Sequence, residues 1–467
     1  MNFTDLFFIF LFAPVCIISY FISNNIMYRN VLLLVFSLIF YAWGKPVFVL
    51  LILFGALVNY ALGLAISTRR EKTSGKVILA LALIFDIGLL ALFKYTGFFI
   101  ENINAVAGCS IPVPDIPLPL GISFFTFEVI SYLLDVWWEK TDAEKSFFRF
   151  LLYVSLFPNI TAGPIVRYTD ISDSLGARRI GISDVSEGIC RVVTGLAKKV
   201  IIADTLSTVV GDFIGENVAS ATVVGCWYGV IVYSLQMYFD FSGYSDMAIG
   251  LARIFGFRYR ENFNYPFVSK TVAEFWQRWH ISLGSFFRDY LLYVPIFGQA
   301  RKFGGLFLVW FCTGLWHGAS WNYVIWGLYF GVFMLIETLL GKKRIKKIPE
   351  WIRHIYTMLV VIVGFGIFYE TDLGRLGTLL KGLIGLNGCG FCDSAVAQSA
   401  ANNAFLIAAA ILFSLPVVPF IRKKLCDTEG GTKAVGVVTV VLNVALLCVC
   451  AIILVNSTNN PFIYANY

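Results

Sequence analysis

Charged residues are scarce in this chain of 467 residues, since lysine, arginine, aspartate and glutamate together make up only 14%. Ordinary soluble domains contain about 25% charged residues. Hydrophobic residues reach 58%, and the mean hydropathy is +0.77. A chain of this length cannot bury so much apolar surface in a soluble fold. The composition therefore excludes a soluble enzyme and predicts an all-α, polytopic membrane protein.

Several common functional patterns are also missing. The chain has only three histidines, and none lies in an HxxxH or HExxH pattern, so we expect no metal site. No GxxxxGK[ST] occurs, no GxGxxG follows a strand-like run, and the two halves do not mirror each other. These absences argue against a pump or carrier without excluding one. The net charge of +7 is explained by basic loops and requires no nucleic acid.

Long apolar windows recur along the chain and predict about 11 to 13 membrane-spanning helices, some of them short or re-entrant. The first helix lacks a basic flank and a cleavage site, so we expect it to be retained. Basic loops such as Lys342–Lys347 should be cytoplasmic, which places both termini outside. We expect one integral domain over residues 1–467, with an N-terminal layer (1–110), a core (118–340) and C-terminal helices (351–467).

One histidine, His317, lies in the apolar stretch Gly314–Trp321. Ionisable groups at membrane depth are costly and by default mark a functional site. A hydrogen bond between helices is the simpler alternative for a lone buried histidine. Gly314 and Gly318 flank His317 and allow close approach of a substrate or of another backbone.

A second histidine, His280, ends an aromatic-rich segment that we interpret as part of one continuous helix. Trp276, Trp279 and His280 would share an inward face, while Glu274 and Arg278 would pair at i,i+4. Two buried histidines suggest acid–base chemistry, because the usual imidazole pKa lies near neutrality. Acyl transfer to a hydroxyl needs a base and an oxyanion donor but no metal.

Ionisable and aromatic residues alternate densely between Gln236 and Asp289. Charge at membrane depth persists only when it is buried in protein or lines a water-filled cavity. We therefore expect short or re-entrant helices around a central tunnel. The arginines could instead lie on an interfacial cytoplasmic surface. The third histidine, His354, follows a basic run and is interpreted as interfacial.

Cys389 and Cys392 form a CxxC in a loop that this topology places outside. Outside the cytosol, a disulfide between them is the expected interpretation. A metal or redox site would need two further ligands or a thioredoxin-like context, and neither is visible in the sequence.

Six segments, in order along nearly the whole chain, resemble motifs of the membrane-bound O-acyltransferase family. They are Pro119–Phe127, Ala162–Tyr168, Tyr238–Met247, Phe275–Leu283, Phe311–Trp321 and Asn460–Tyr464. Within the family they are most similar to the bacterial membrane subunits that O-acetylate polysaccharides, the alginate type among them. The segment Leu291–Gln299 departs from the pattern of that subgroup, which weakens an inference about the carbohydrate but not about the class.

The resemblance implies a multi-helix bundle with a tunnel in which His317 is the general base or acid and His280 is its partner. It further implies a set of residues that build the tunnel or bind substrate: Asp240, Arg167, Trp316, Trp279, Arg288 and Asp289. The expected location is the bacterial inner membrane.

The resemblance also implies the reaction partners. Acetyl-CoA is the expected donor, with no tightly bound cofactor. The acetyl group would pass to a separate extracytoplasmic partner of the SGNH-hydrolase type, which then esterifies a polysaccharide.

Two alternatives remain open from the sequence. A sister subgroup with the same histidine pair transfers D-alanine towards teichoic acids, and Pro295–Gln299 and Pro461–Tyr464 argue against it here. A transporter or flippase of lipid-linked sugars would use the charged centre for translocation. A structural scaffold would leave that dense charge unexplained.

Overall fold

The structure, a computed structural model, describes residues 1–292 and 302–456. Over these ranges the chain forms helices and no strand, so the predicted all-α class is confirmed. Two short π-helical segments and one 3₁₀ turn interrupt the α-helices. The motif at Asn460–Tyr464 and nearly all of the divergent segment Leu291–Gln299 lie outside the described residues.

The chain divides into two compact units. The first contains Met1–Val192 and Ser245–Arg260, and the second contains Val193–Tyr244 and the described residues from Glu261 onward. The helices that begin in the first unit are α1 Ala13–Phe21, α2 Ile26–Ala42, α3 Phe48–Arg69, α4 Thr73–Lys94, α5 Thr96–Ala107, α6 Ile122–Trp137, α7 Phe147–Ser155, α8 Tyr168–Gly176 and α9 Ile182–Ala197. The single integral domain and its division near residues 110 and 340 remain predictions.

The second unit contains the end of α9 and most of α11, followed by a series of short and long helices. In chain order its helices are α10 Asp204–Ile214, α11 Val223–Ile254, α12 Val272–Arg278, α13 Ile281–Tyr290, α14 Lys302–His317, α15 Trp321–Ile345, α16 Glu350–Tyr369, α17 Leu373–Leu383, α18 Ser394–Asn402, α19 Ala404–Phe413, α20 Val417–Leu425 and α21 Glu429–Asn456.

Five helices of the described chain, α3, α4, α15, α16 and α21, are long and apolar enough to cross a membrane. The pair α18 and α19, bent by 64°, brings the number to six if it forms one broken span. The polytopic fold is confirmed, with fewer full-length spans than the sequence windows suggest. The difference arises because several apolar windows form shorter helices, among them α2 and Phe303–His317.

In the first unit, the start of α6 contacts the residues that precede the Ala162–Tyr168 motif. Gly121 has φ +67° before α6, and a Cβ atom there would lie 1.7 Å from the carbonyl oxygen of Ile160. In α6, Glu128 accepts a hydrogen bond of 2.6 Å from Asn159, which accepts one of 2.7 Å from Tyr259. All three polar residues are buried. This chain of hydrogen bonds satisfies polar groups that burial would otherwise penalise.

In the second unit, α14 and α15 approach each other through facing glycines. A Cβ atom on Gly314 would lie 2.3 Å from the carbonyl oxygen of Tyr323, and one on Gly327 would lie 2.3 Å from that of Trp310. Small residues permit such close approach of membrane helices. The glycine that flanks His317 on the N-terminal side is therefore explained by another backbone rather than by a substrate.

We expect Gly327→Ala to destabilise the folded protein by about 1–3 kcal/mol, because the added methyl group must force the two helices apart. The control is Gly88→Ala in α4, where a Cβ atom would meet nothing within 4 Å. Thermal unfolding of both variants in one detergent is the measurement. Equal midpoints for Gly327→Ala and wild type would contradict the assignment of this contact.

Candidate active site

His317 is the last residue of α14, and its side chain is buried among aromatic rings. The imidazole centroid lies 4.9 Å from that of Trp326 and 5.1 Å from that of Phe368, with both pairs nearly perpendicular. The buried amide of Asn322 donates to the carbonyl oxygens of Phe368, at 3.2 Å, and Ile367, at 3.4 Å. Asn322 thus ties the start of α15 to the end of α16 beside His317.

His280 lies at a break between α12 and α13, so the predicted continuous helix is wrong at this point. Its backbone is left-handed, with φ 46° and ψ 54°, a conformation that costs a non-glycine residue about 1–3 kcal/mol. Two backbone hydrogen bonds stabilise the break. Asn264 donates to Arg278 at 2.9 Å, and Ile281 donates to Asn262 at 3.0 Å. The helical periodicity of the sequence contains no sign of this pairing.

The His280 side chain is also buried and is held from two directions. Its ring lies perpendicular to Phe241, with centroids 4.6 Å apart. The Nδ1 atom lies 3.2 Å from the side-chain oxygen of Asn262. Asn262 is itself fully buried, and no motif or spacing in the sequence marks it as part of the site.

Trp316 contacts both histidines. Its ring centroid lies 5.8 Å from that of His280 and 5.0 Å from that of His317. Two segments that are well separated in sequence therefore bring their imidazoles to one indole in a buried aromatic cluster. Among the described residues, no group of three or more histidine, cysteine or acidic side chains is arranged to hold a metal ion.

Asp240 belongs to a buried ion cluster whose members are too far apart in the sequence to be predicted from it. Lys199, in the π-helical segment Lys198–Ala203, places its Nζ atom 2.6 Å from Asp240 and 2.8 Å from Asp204. The side chains of Lys199 and Asp240 are almost completely buried. π-Helical turns often occur at functional sites. The carboxylate of Asp240 is thus engaged by a cation, and its role in a tunnel remains a prediction.

Trp279, Arg288 and Asp289 differ in their surroundings. Trp279 is buried, with its ring centroid 5.0 Å from that of Phe365 and 5.1 Å from that of Phe263. Arg288 donates to its neighbour Asp289 at 2.7 Å, and its side chain is 60% exposed. Trp279 therefore belongs to the aromatic core, whereas the two charged side chains pair with each other nearer the surface.

Arg167 lies in the first unit, where it precedes α8. Its backbone N–H donates to the carboxylate of Asp170 at 3.3 Å, and this contact caps the helix. The substrate-binding role that was predicted for Arg167 stays a prediction.

Two residues of the spans α15 and α16 bind the segment that leads to His280. The carboxylate of Glu337 accepts from the backbone N–H groups of Val272, at 2.7 Å, and Ala273, at 2.9 Å. The Nδ1 atom of His354 lies 3.0 Å from the carbonyl oxygen of Ser269. A buried carboxylate on the first N–H groups of a helix satisfies donors that have no helical partner. These contacts position α12, and the predicted pair of Glu274 and Arg278 is confirmed at 3.0 Å.

The CxxC loop contacts the start of α11. The backbone N–H groups of Val223 and Val224 donate to the carbonyl oxygens of Gly390 and Phe391. The structure records Cys389 and Cys392 as thiols, and the disulfide between them stays a prediction.

The residues that form this site lie within a segment that matches a known protein family. The pattern of the membrane-bound O-acyltransferase family matches residues 120–369, a segment that includes both histidines and Trp316. The chain belongs to the membrane-bound O-acyltransferase family. It is an acyltransferase and a multi-pass membrane protein. This membership favours an enzyme over the transporter and scaffold hypotheses.

Three relatives illustrate the range of the family. A probable alginate O-acetylase of Pseudomonas aeruginosa is 39% identical, over 80% of this chain and 73% of that protein. A peptidoglycan O-acetyltransferase of Helicobacter pylori is 32% identical, over 82% of this chain and 80% of that protein. A teichoic acid D-alanyltransferase of Bacillus subtilis is 32% identical, over 53% of this chain and 65% of that protein.

The ion cluster around Lys199 gives a stability prediction. We expect Lys199→Met to destabilise the protein by about 3–5 kcal/mol, because two carboxylates lose the cation that they share. Adding Asp240→Asn to Lys199→Met should recover part of that loss. The control is Lys433→Met, since Lys433 and its partner Glu429 are 77% and 85% exposed. Thermal unfolding in detergent is the measurement, and a Lys199→Met protein as stable as wild type would refute the prediction.

Proposed function

We propose that this enzyme moves acetyl groups from acetyl-CoA in the cytosol, through the bacterial inner membrane, to an extracytoplasmic SGNH-type partner that O-acetylates an exported or cell-wall polysaccharide. The observation that supports it most is the contact of both His280 and His317 with Trp316, within the segment that the family pattern matches. Relatives named for alginate and peptidoglycan O-acetylation align over about four fifths of the chain, which supports a polysaccharide as the final acceptor.

The proposed chemistry needs one base, one proton donor and the two substrates. His317 takes the proton of a serine hydroxyl on the partner as that oxygen forms a bond to the acetyl carbonyl carbon. The bond between that carbon and the sulfur of CoA then breaks, and the sulfur takes up the proton. His280 is the partner of His317, and it positions the serine hydroxyl or relays the proton to the sulfur. The aromatic walls exclude water, which would otherwise hydrolyse the thioester.

Transfer of D-alanine is the second candidate. Its support is the 32% identity to the Bacillus subtilis D-alanyltransferase, but that alignment covers 53% of this chain, against 80% for the alginate relative. Transfer of an acetyl group is therefore better supported than transfer of D-alanine.

We expect His317→Ala to reduce the rate of acetyl transfer by about 10²–10⁴-fold, because the acceptor hydroxyl then lacks its base. The assay uses proteoliposomes, labelled acetyl-CoA supplied on the cytosolic side, and the purified partner. His354→Gln is the matched control, since its amide can still donate to the carbonyl oxygen of Ser269.

Normal acetylation by folded His317→Ala would contradict the catalytic role. The second candidate would be favoured if the wild-type protein transferred D-alanine from a carrier protein but no acetyl group from acetyl-CoA.

A further inference from the structure

The side-chain oxygen of Asn262 is surrounded by three groups that can donate hydrogen bonds. The backbone nitrogen of Ser282 lies 3.1 Å away, its hydroxyl oxygen lies 2.9 Å away, and Nδ1 of His280 lies 3.2 Å away. Asn262 is fully buried and also accepts from Ile281 through its backbone carbonyl. The side-chain oxygen and the backbone carbonyl of Asn262 therefore bind the residues that follow His280, and the side-chain oxygen also contacts the His280 ring.

The orientation of the Asn262 amide follows from one of these contacts. An amide oxygen and nitrogen are usually assigned from their partners, because they are hard to distinguish otherwise. The backbone N–H of Ser282 can only donate, so the atom that it contacts must be the oxygen. The amide nitrogen cannot occupy this position without opposing the backbone N–H of Ser282.

The state of the imidazole follows in turn. The side-chain oxygen of Asn262 can accept a hydrogen bond but cannot donate one. Its hydrogen bond with Nδ1 of His280 therefore requires a hydrogen on Nδ1. In the neutral ring the other nitrogen, Nε2, then has the lone pair. The hydroxyl of Ser282 lies 3.5 Å from Nδ1 and 2.9 Å from the Asn262 oxygen, so it donates to the oxygen.

We propose that Asn262 is a positioning residue that holds neutral His280 in the tautomer with hydrogen on Nδ1, which makes Nε2 the atom that accepts or returns a proton. The catalytic consequence rests on the proposed function, whereas the tautomer does not. The backbone hydrogen bonds on both sides of His280 and the perpendicular ring of Phe241 fix the direction in which Nε2 points.

Nitrogen NMR of the complete protein tests the tautomer directly, because the chain has only three histidines. The protein is labelled with ¹⁵N-histidine, placed in nanodiscs and measured near pH 8, about 1.5 units above the ordinary imidazole pKa, so that the rings are neutral. His354→Gln and His317→Gln variants assign the signals. We expect the wild-type His280 ring to be protonated on Nδ1.

Variants separate positioning from packing. Asn262→Ala should give a mixture of tautomers at His280 and lower kcat with little change in KM for acetyl-CoA. We expect a loss of about 10–100-fold, by analogy with residues that orient metal-bound imidazoles. Asn262→Asp keeps an acceptor at the same place and should keep the tautomer. Ser282→Ala removes a neighbouring donor but not the contact with His280, so it should keep both the tautomer and kcat.

Wild-type His280 with hydrogen on Nε2 would overturn the inference whatever the activity, and this result needs no variant to fold. A mixture of tautomers in Asn262→Ala with normal kcat would overturn the positioning role. Protonation on Nδ1 in a wild-type protein that transfers no acetyl group would support the tautomer and overturn the proposed function instead.

Discussion

The close contact of α14 with α15 is the constraint on which the histidine site depends. Because Gly314 and Gly327 let the two backbones meet, His317 at the end of α14 lies against Trp326 on α15. Trp316, its neighbour in sequence, reaches the ring of His280. A side chain at either glycine would separate the helices, and the arrangement of aromatic rings around the imidazoles would change with them.

Buried polar groups in this protein are paired locally, and the pairs determine where the helices break and cross. Asn262 stabilises the left-handed residue at His280, Glu337 binds the first N–H groups of α12, and Lys199 joins Asp240 to Asp204. In a low-dielectric interior each of these groups would be costly alone. Polar side chains thus specify the geometry around the two histidines, while the apolar helices specify only that the chain lies in the membrane.

The sequence was sufficient for the fold class and the family, because low charge and ordered motifs are properties of the chain itself. It also singled out the two histidines that contact Trp316, whose catalytic role stays a prediction. It did not predict the break at His280, since the helical spacing of Trp276, Trp279 and His280 fits a continuous helix. The backbone that stabilises the break, at Asn262 and Asn264, lies earlier in the chain and meets it only after folding. Nor did the sequence identify Lys199 as the partner of Asp240, because only the folded chain brings them together. The number of full-length spans was lower than expected, since apolar windows do not reveal where helices end.

A structure of the protein in nanodiscs with an acetyl-CoA analogue, in which a thioether replaces the thioester, would show whether acyl transfer takes place beside Trp316. We predict that the sulfur end of the analogue lies against Trp316, within reach of both His280 and His317. An analogue bound with its sulfur end remote from both imidazoles would contradict the assignment of this aromatic cluster as the site of acyl transfer.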